Sequence, residues 1–190
     1  MMQKKSRMII GISGASGIIY GIRLLELLRE TALETHLIVS KAAQQTRHYE
    51  TNLTAGELSA LADYHYPIQD ISATIASGSY RTLGMIIAPC SMKTLANIAH
   101  GNTSNLITRS ADVVLKERRK LVLMPRECPL HLGHLRNMTL VTEMGAIIAP
   151  PMPAFYNQPQ TIDDLVNFSV ARVLDLFDIE IPGVKRWKEP

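Results

Sequence analysis

Two cysteines among 190 residues, Cys90 and Cys128, are too few and too far apart for a disulfide framework or a zinc-ligand pair. Both are expected to be reduced, half-buried thiols. Aromatic residues make up only 5% of the chain, and 20 Lys and Arg residues are interspersed with 17 Asp and Glu residues. That leaves neither the clustered basic surface nor the interleaved aromatics of a nucleic-acid groove, and the net charge of +3 better suits small anionic ligands. Long apolar runs are missing too: none approaches the roughly 20 residues that a membrane-spanning helix needs. The first ten residues lead into a strand pattern rather than a cleavable signal, so a cytoplasmic protein without membrane association is expected. A Gly-x-Ser-x-Gly nucleophile elbow and a recognisable Cys–His pairing are also lacking.

What is present is a hydrophobic content of 46%, enough for one good core, and a single domain over residues 1–190 is expected. Apolar runs of strand length recur at Met8 to Ile12, His36 to Val39, Met85 to Ala88, Leu121 to Met124 and Ala146 to Ala149. Segments of helical period alternate with them: Ile18 to Arg29, Ala42 to Tyr49, Ala55 to Ala62, Met92 to Ala99, Ala111 to Arg119, Leu130 to Met144 and Ile162 to Phe177. This alternation predicts a three-layer, Rossmann-like α/β fold, a parallel sheet with helices on both faces. Only Asp63 to Tyr80 gives no clear pattern. In such sheets ligands bind beyond the carboxyl ends of the strands, which points to Ser13 to Gly17, Ser40, Pro89 to Thr94, Pro125 to Pro129 and Pro150 to Tyr156.

The first of these loops, within Gly11-Ile12-Ser13-Gly14-Ala15-Ser16-Gly17, sets three glycines and two serines between a strand and a helix. Backbone N–H groups there can approach an anion, with the helix dipole behind them. The loop lacks the Gly-Lys-Ser/Thr ending of a Walker motif and has Ser13 where a dinucleotide fingerprint has glycine. Because the second strand ends in Ser40 rather than Asp or Glu, a mononucleotide such as a flavin fits better than NAD. A plain capped turn is the competing reading. Ser91, Lys93 and Thr94 offer two hydroxyls and an ammonium at another helix start, which reads equally as a second phosphate loop or as an ordinary cap. Arg126 and Glu127 face the same edge, where a carboxylate beside a cation can exchange protons; a surface ion pair is the alternative.

Arg109, Asp112, Lys116 and Arg119 share a helix face that reads mostly as solvated. Tyr156 and Arg172 are suited to clamping a phosphate, or are a core tyrosine and an exposed arginine. His131 and His134 stand three apart on a predicted helix, but without a third ligand they read as packing or surface residues, and no metal is expected.

Seven stretches then occur in order: Gly11 to Gly21, Ser40 to Ala43, Ala76 to Ser79, Pro89 to Thr94, Ala111 to Arg119, Pro125 to Glu127 and Ala154 to Pro159. Together they resemble the UbiX-type flavin prenyltransferases over nearly the whole chain. The resemblance implies a flavodoxin-like sheet that binds reduced FMN and joins a dimethylallyl group from dimethylallyl phosphate to flavin N5 and C6. It implies FMN contacts from Gly14, Ala15, Ser16, Ser40, Ser91, Met92, Lys93, Thr94 and Arg126. Tyr156 and Arg172 would hold the prenyl phosphate, joined by Lys116 from a neighbouring subunit, with Arg109 nearby. Ser16, Glu50 and Glu127 match the family's groups for phosphate contact and proton management. The product would serve a UbiD-type decarboxylase, and the assembly would be a homo-oligomer, a dodecamer. Asp63 to Tyr80 and the tail after Trp187 match the family poorly, which leaves any lid over the prenyl site open. Two other readings compete. Cysteine-decarboxylating flavoproteins use a histidine base and a Pro-x-Met-Asn motif, where this chain has Pro151-Met152-Pro153, and flavin carriers are usually acidic and more aromatic.

Overall fold

The computed structural model describes residues 6–181; the tail after Trp187 lies outside them. Six strands, β1 (Arg7–Ile12), β2 (Glu34–Val39), β3 (Tyr64–Tyr66), β4 (Gly84–Cys90), β5 (Lys120–Pro125) and β6 (Ile147–Ile148), form one sheet in the order β3-β2-β1-β4-β5-β6. Every neighbouring pair is parallel. Crossovers run through α1 (Ile19–Arg29), α2 (Lys41–Glu50), α3 (Ala55–Ser59), α4 (Met92–Ala99), α5 (Leu106–Lys116) and α6 (Leu132–Glu143), and α7 (Ile162–Asp175) follows the last strand.

The strand pleat sends alternate residues to opposite faces. Ile10 and Ile12 meet Leu24, Leu28, Val170 and Leu174 of α1 and α7 on one side. Ile9, Met85 and Ile87 meet Leu95, Ile107 and Val114 of α4 and α5 on the other. Each fully buried leucine of this kind contributes about 2 kcal/mol through the apolar surface it removes from water. Side-chain caps start the helices: Ser40, Ser91, Asn105 and Thr161 accept the N–H of Ala43, Thr94, Thr108 and Asp164. No helix among the described residues is long and apolar enough to cross a membrane.

The structure corrects several expectations. The patternless stretch contains the edge strand β3 and a 3-10 turn at Thr74–Ala76. Its strand was hidden because it is only three residues long and its tyrosines stack on a buried imidazole, Tyr66 alone also touching the aliphatic core. His36 of β2 is fully buried, stacks on Tyr64 at 5.0 Å between ring centroids and lies 3.0 Å from both the Tyr66 hydroxyl and Glu34 Oε1. Glu34 in turn pairs with Arg7 at 2.8 Å. Burial lowers the His36 pKa against the pull of Glu34; Glu34 is held below the usual carboxylate range by Arg7 and His36 although burial opposes this. Helix α5 starts at Leu106, five residues before the expected Ala111, because Asn105 caps it. His131 precedes α6 as its cap, its Nδ1 accepting from Gly133 and His134, rather than lying within the helix, and its ring centroid is 3.6 Å from that of His134. The thiols are not half-buried either: Cys90 is buried and Cys128 exposed.

Candidate functional site

The strand order reverses between β1 and β4, so the loops leaving these strands part and open a crevice. Ser13 fastens its base. The Ser13 hydroxyl donates to the Pro89 carbonyl at 3.1 Å and accepts the Ser91 N–H at 2.7 Å, while the Ser13 N–H also bonds Pro89. The residue that departs from the dinucleotide fingerprint is thus the cross-link between two ligand loops. It is a role the sequence marked only as a missing glycine.

Above this base the crevice has a volume of about 430 Å³ and is lined by Gly14, Ala15, Ser16, Ser91 and Met92 on one side. Pro125, Arg126, Glu127, Cys128, Pro150, Pro151 and Met152 form the rest. Arg126 crosses the opening, with Nη1 3.5 Å from the Ser16 hydroxyl and its guanidinium 5.8 Å over the Tyr20 ring. Gly17 makes this crossing possible. Its φ is 97°, and a Cβ there would lie 2.4 Å from Arg126 Nη1.

The start of α1 is not an open anion site. Glu50, at the end of α2, accepts the N–H groups of Gly17 and Ile18 at 2.8 and 3.0 Å. Its carboxylate takes the place at the helix N-terminus that sequence had offered to a ligand phosphate. Ser40 and Thr94 stand close by as local partners rather than crevice lining: Ser40 caps α2, and Thr94 accepts from Ser91 Oγ at 3.1 Å. Lys93 is exposed on the first turn of α4. Glu127 lines the crevice and accepts the N–H of Cys128 at 3.1 Å.

A second cavity of about 240 Å³ adjoins the first, sharing Pro150 and Met152 with it. Arg172 of α7 lines it with Phe168 and Ser169 and is paired with Asp175 at 2.7 Å. Tyr156 meets the edge of Phe168 at 6.0 Å. Arg126 and Glu127 thus line one of two adjoining hollows and Arg172 the other, with Tyr156 packed on the Phe168 that lines the second. Arg109 and Lys116 are not. Arg109 pairs with Asp112 at 2.9 Å, and Lys116 lies beside Glu117. Helix α5 begins at the ligand edge, where the Leu106 N–H bonds Ile68 just past β3, and ends at Lys116, near the first residue of β5 on the far edge. Among the described residues no group of three His, Cys, Asp or Glu side chains could hold a metal ion.

The crevice fits a flavin mononucleotide. Its volume is that of a small-molecule site, its walls combine methionine and proline surfaces with Ser16, Ser91 and a guanidinium, and it stands at the switch point of a doubly wound sheet. Fold and site together define a mononucleotide-binding α/β protein of the flavodoxin-like class.

Comparison with known proteins narrows the class. The family model described as Flavoprotein matches residues 1–174. The flavin prenyltransferase UbiX of Escherichia coli K12 is 59% identical over 185 residues, 96% of this chain and 98% of that protein. A crystal structure of AnUbiX in complex with FMN and dimethylallyl pyrophosphate superposes with a TM-score of 0.96 at 49% identity, covering 98% of this chain and 99% of that one. A dodecameric FMN-dependent Ubix-like decarboxylase from Escherichia coli O157:H7 gives a TM-score of 0.94 at 53% identity, over 96% and 100% of the two chains. The chain belongs to the UbiX flavin prenyltransferases within the flavoprotein family.

Proposed function

We infer that this chain is a flavin prenyltransferase that takes reduced FMN and dimethylallyl phosphate and joins the dimethylallyl group to flavin N5 and C6. The observation that carries the reading is the pair of adjoining hollows, one crossed by Arg126 beside Ser16 and the other lined by Arg172, which suits two anionic reactants held side by side. When bound, reduced FMN supplies an electron-rich ring that accepts the allylic carbon. Gly14, Ala15, Ser16, Ser40, Ser91, Met92, Lys93, Thr94 and Arg126 are assigned to holding it, with residues 1–190 as one FMN-binding domain.

Tyr156 and Arg172 are assigned to the prenyl phosphate, whose charge grows as the C–O bond breaks. Arg172 can meet that charge with a planar fork of donors, and Tyr156 with a hydroxyl. Lys116, which stands at the far sheet edge of its own chain, is assigned to the prenyl phosphate of a neighbouring copy in a homo-oligomer, here taken as a dodecamer, with Arg109 nearby. Glu127, placed on the crevice wall, can accept and return a proton as the new ring closes. Ser16 contacts the phosphate side, and Glu50 acts on the same loop through the Gly17 and Ile18 amides. Holding both reactants at attack distance would supply much of the acceleration. The prenylated flavin is suited to a UbiD-type decarboxylase as its user, in the cytoplasm.

Anaerobic incubation of the pure protein with reduced FMN and dimethylallyl phosphate should yield a flavin heavier by one prenyl unit in the mass spectrum. Recovery of FMN alone would sink the reading. Arg172→Ala should raise the KM for dimethylallyl phosphate while FMN stays bound; if FMN is lost as well, the two anions are not divided between the hollows as assigned.

A further inference from the structure

The stretch Ala76-Ser77-Gly78-Ser79, one of those carrying the family resemblance, takes no part in lining the crevice. It packs against the end of α5. Arg119 donates to the carbonyls of Gly78 and Tyr80 at 2.7 and 2.9 Å, tying the stretch to the chain that leaves the helix. Between Lys116 and Arg119, Glu117 accepts from Lys116 Nζ at 2.5 Å through Oε1 and holds Oε2 3.9 Å from Arg119 Nη2.

Consecutive helical side chains do not face each other. Lys116 and Glu117 meet because the helix stops there. Arg118 has a φ of 57°, and the N–H groups of Arg118 and Arg119 turn back onto the carbonyls of Leu115 and Val114 at 3.0 and 2.9 Å. This ending usually carries glycine, since a side chain in the left-handed region is disfavoured. Gly78 completes the contact: a Cβ there would lie 2.1 Å from Glu117 Oε1 and 2.8 Å from Lys116 Nζ. A side chain at position 78 would push both of these side-chain ends from their places. The bond from Lys116 also holds the Glu117 carboxyl below the usual carboxylate range, so the carboxylate is ionised at neutral pH.

We propose that Glu117, steadied by Arg119 and admitted by Gly78, is a positioning residue that holds the Lys116 ammonium ready for the prenyl phosphate of a neighbouring copy. The proposal rests on the assignment of Lys116 given above. A lysine on a free four-carbon stem loses rotamer entropy when it binds, and fixing it beforehand removes part of that cost. One N–H of the ammonium is used on Glu117, and two remain for the phosphate. The effect therefore belongs in the KM for the prenyl donor.

The test is steady-state kinetics of the full-length assembly with reduced FMN and dimethylallyl phosphate, comparing Lys116→Ala, Glu117→Gln, Glu117→Asp and Gly78→Ala. Glu117→Gln should raise the donor KM roughly fivefold, with kcat within twofold and FMN affinity unchanged. Glu117→Asp should recover most of the loss. Gly78→Ala, which displaces the carboxylate from the opposite side, should reproduce the rise in KM. If Lys116→Ala leaves the donor KM unchanged, the assignment of Lys116 fails and the proposal falls with it. A raised KM in Lys116→Ala beside an unchanged one in Glu117→Gln overturns the proposal alone, as does a Glu117→Gln defect confined to kcat or to thermal stability.

Discussion

The hydroxyl of Ser13 accepts the backbone N–H of Ser91 at 2.7 Å and donates to Pro89, so the loops after β1 and β4 are tied to each other. Ser13→Ala leaves that N–H without its acceptor in a part-buried position, at a cost of about 1–3 kcal/mol. The melting temperature should fall by roughly 2–4 °C for each kcal/mol in a chain of this size. FMN affinity, measured by titration of flavin fluorescence, should fall with it because both loops line the crevice. Retained affinity would mean that the loops hold their places independently.

Glu50 completes the start of α1, and its removal should expose what it replaces. In Glu50→Ala the buried N–H groups of Gly17 and Ile18 lose their acceptor, a change expected to cost about 1–3 kcal/mol. A free helix end with two open amides is an anion site. Millimolar phosphate should therefore raise the melting temperature of the variant more than that of the parent, through binding to the folded state alone. Equal shifts would mean that the vacated position is not accessible.

The His36 cluster sets an acid limb to the stability curve. The folded pKa of His36 is lowered below its unfolded value, so the unfolded chain takes up the proton more readily and stability falls as pH drops below about 6.5. The loss continues until the folded pKa is reached. Glu34, whose folded pKa is also lowered, adds a further loss below about 4.5. Denaturant midpoints between pH 7.5 and 5 should show the first limb, to which His65, also lowered by burial, adds, and His36→Gln should reduce its slope. An unchanged slope in the variant would assign the limb to other groups.

The two thiols should react in different regimes. Cys128 is exposed on the crevice wall, whereas Cys90 is buried and its pKa is pushed far up by desolvation. Ellman's reagent should modify one thiol per native chain, and the second only after denaturation. Added FMN should slow the first reaction. No protection by FMN would place the flavin away from Cys128.

Strand and helix alternation was legible because the central strands are continuous aliphatic runs, and of the five post-strand positions named by the switch-point rule all but Ser40 contribute to the crevice lining. Sequence could not weigh competition for the same donors. The Gly11 to Gly17 turn has the composition of an anion cradle, yet which anion sits at its helix end depends on Glu50, 33 residues away from Gly17. Ser13 read as a defect in a glycine pattern because its partners, Pro89 and Ser91, become neighbours only when β1 and β4 pair. Edge strand β3 was invisible for a related reason: its tyrosines pack on a buried imidazole, so neither aliphatic content nor alternation marked it. Arg109 and Lys116 looked like a solvated helix face, and within one chain that is where the fold leaves them.

The crossover made by α5 has a genetic consequence on the proposed reading. Arg172 stands beside the crevice, while Lys116 is carried to the far edge of the sheet and offered outward. Arg172→Ala and Lys116→Ala chains, each defective alone, should complement one another when co-assembled, since some mixed contacts would unite an intact arginine with an intact lysine. A dominant defect would be correspondingly hard to produce with either substitution, because each damaged chain still lends its sound half to a neighbour.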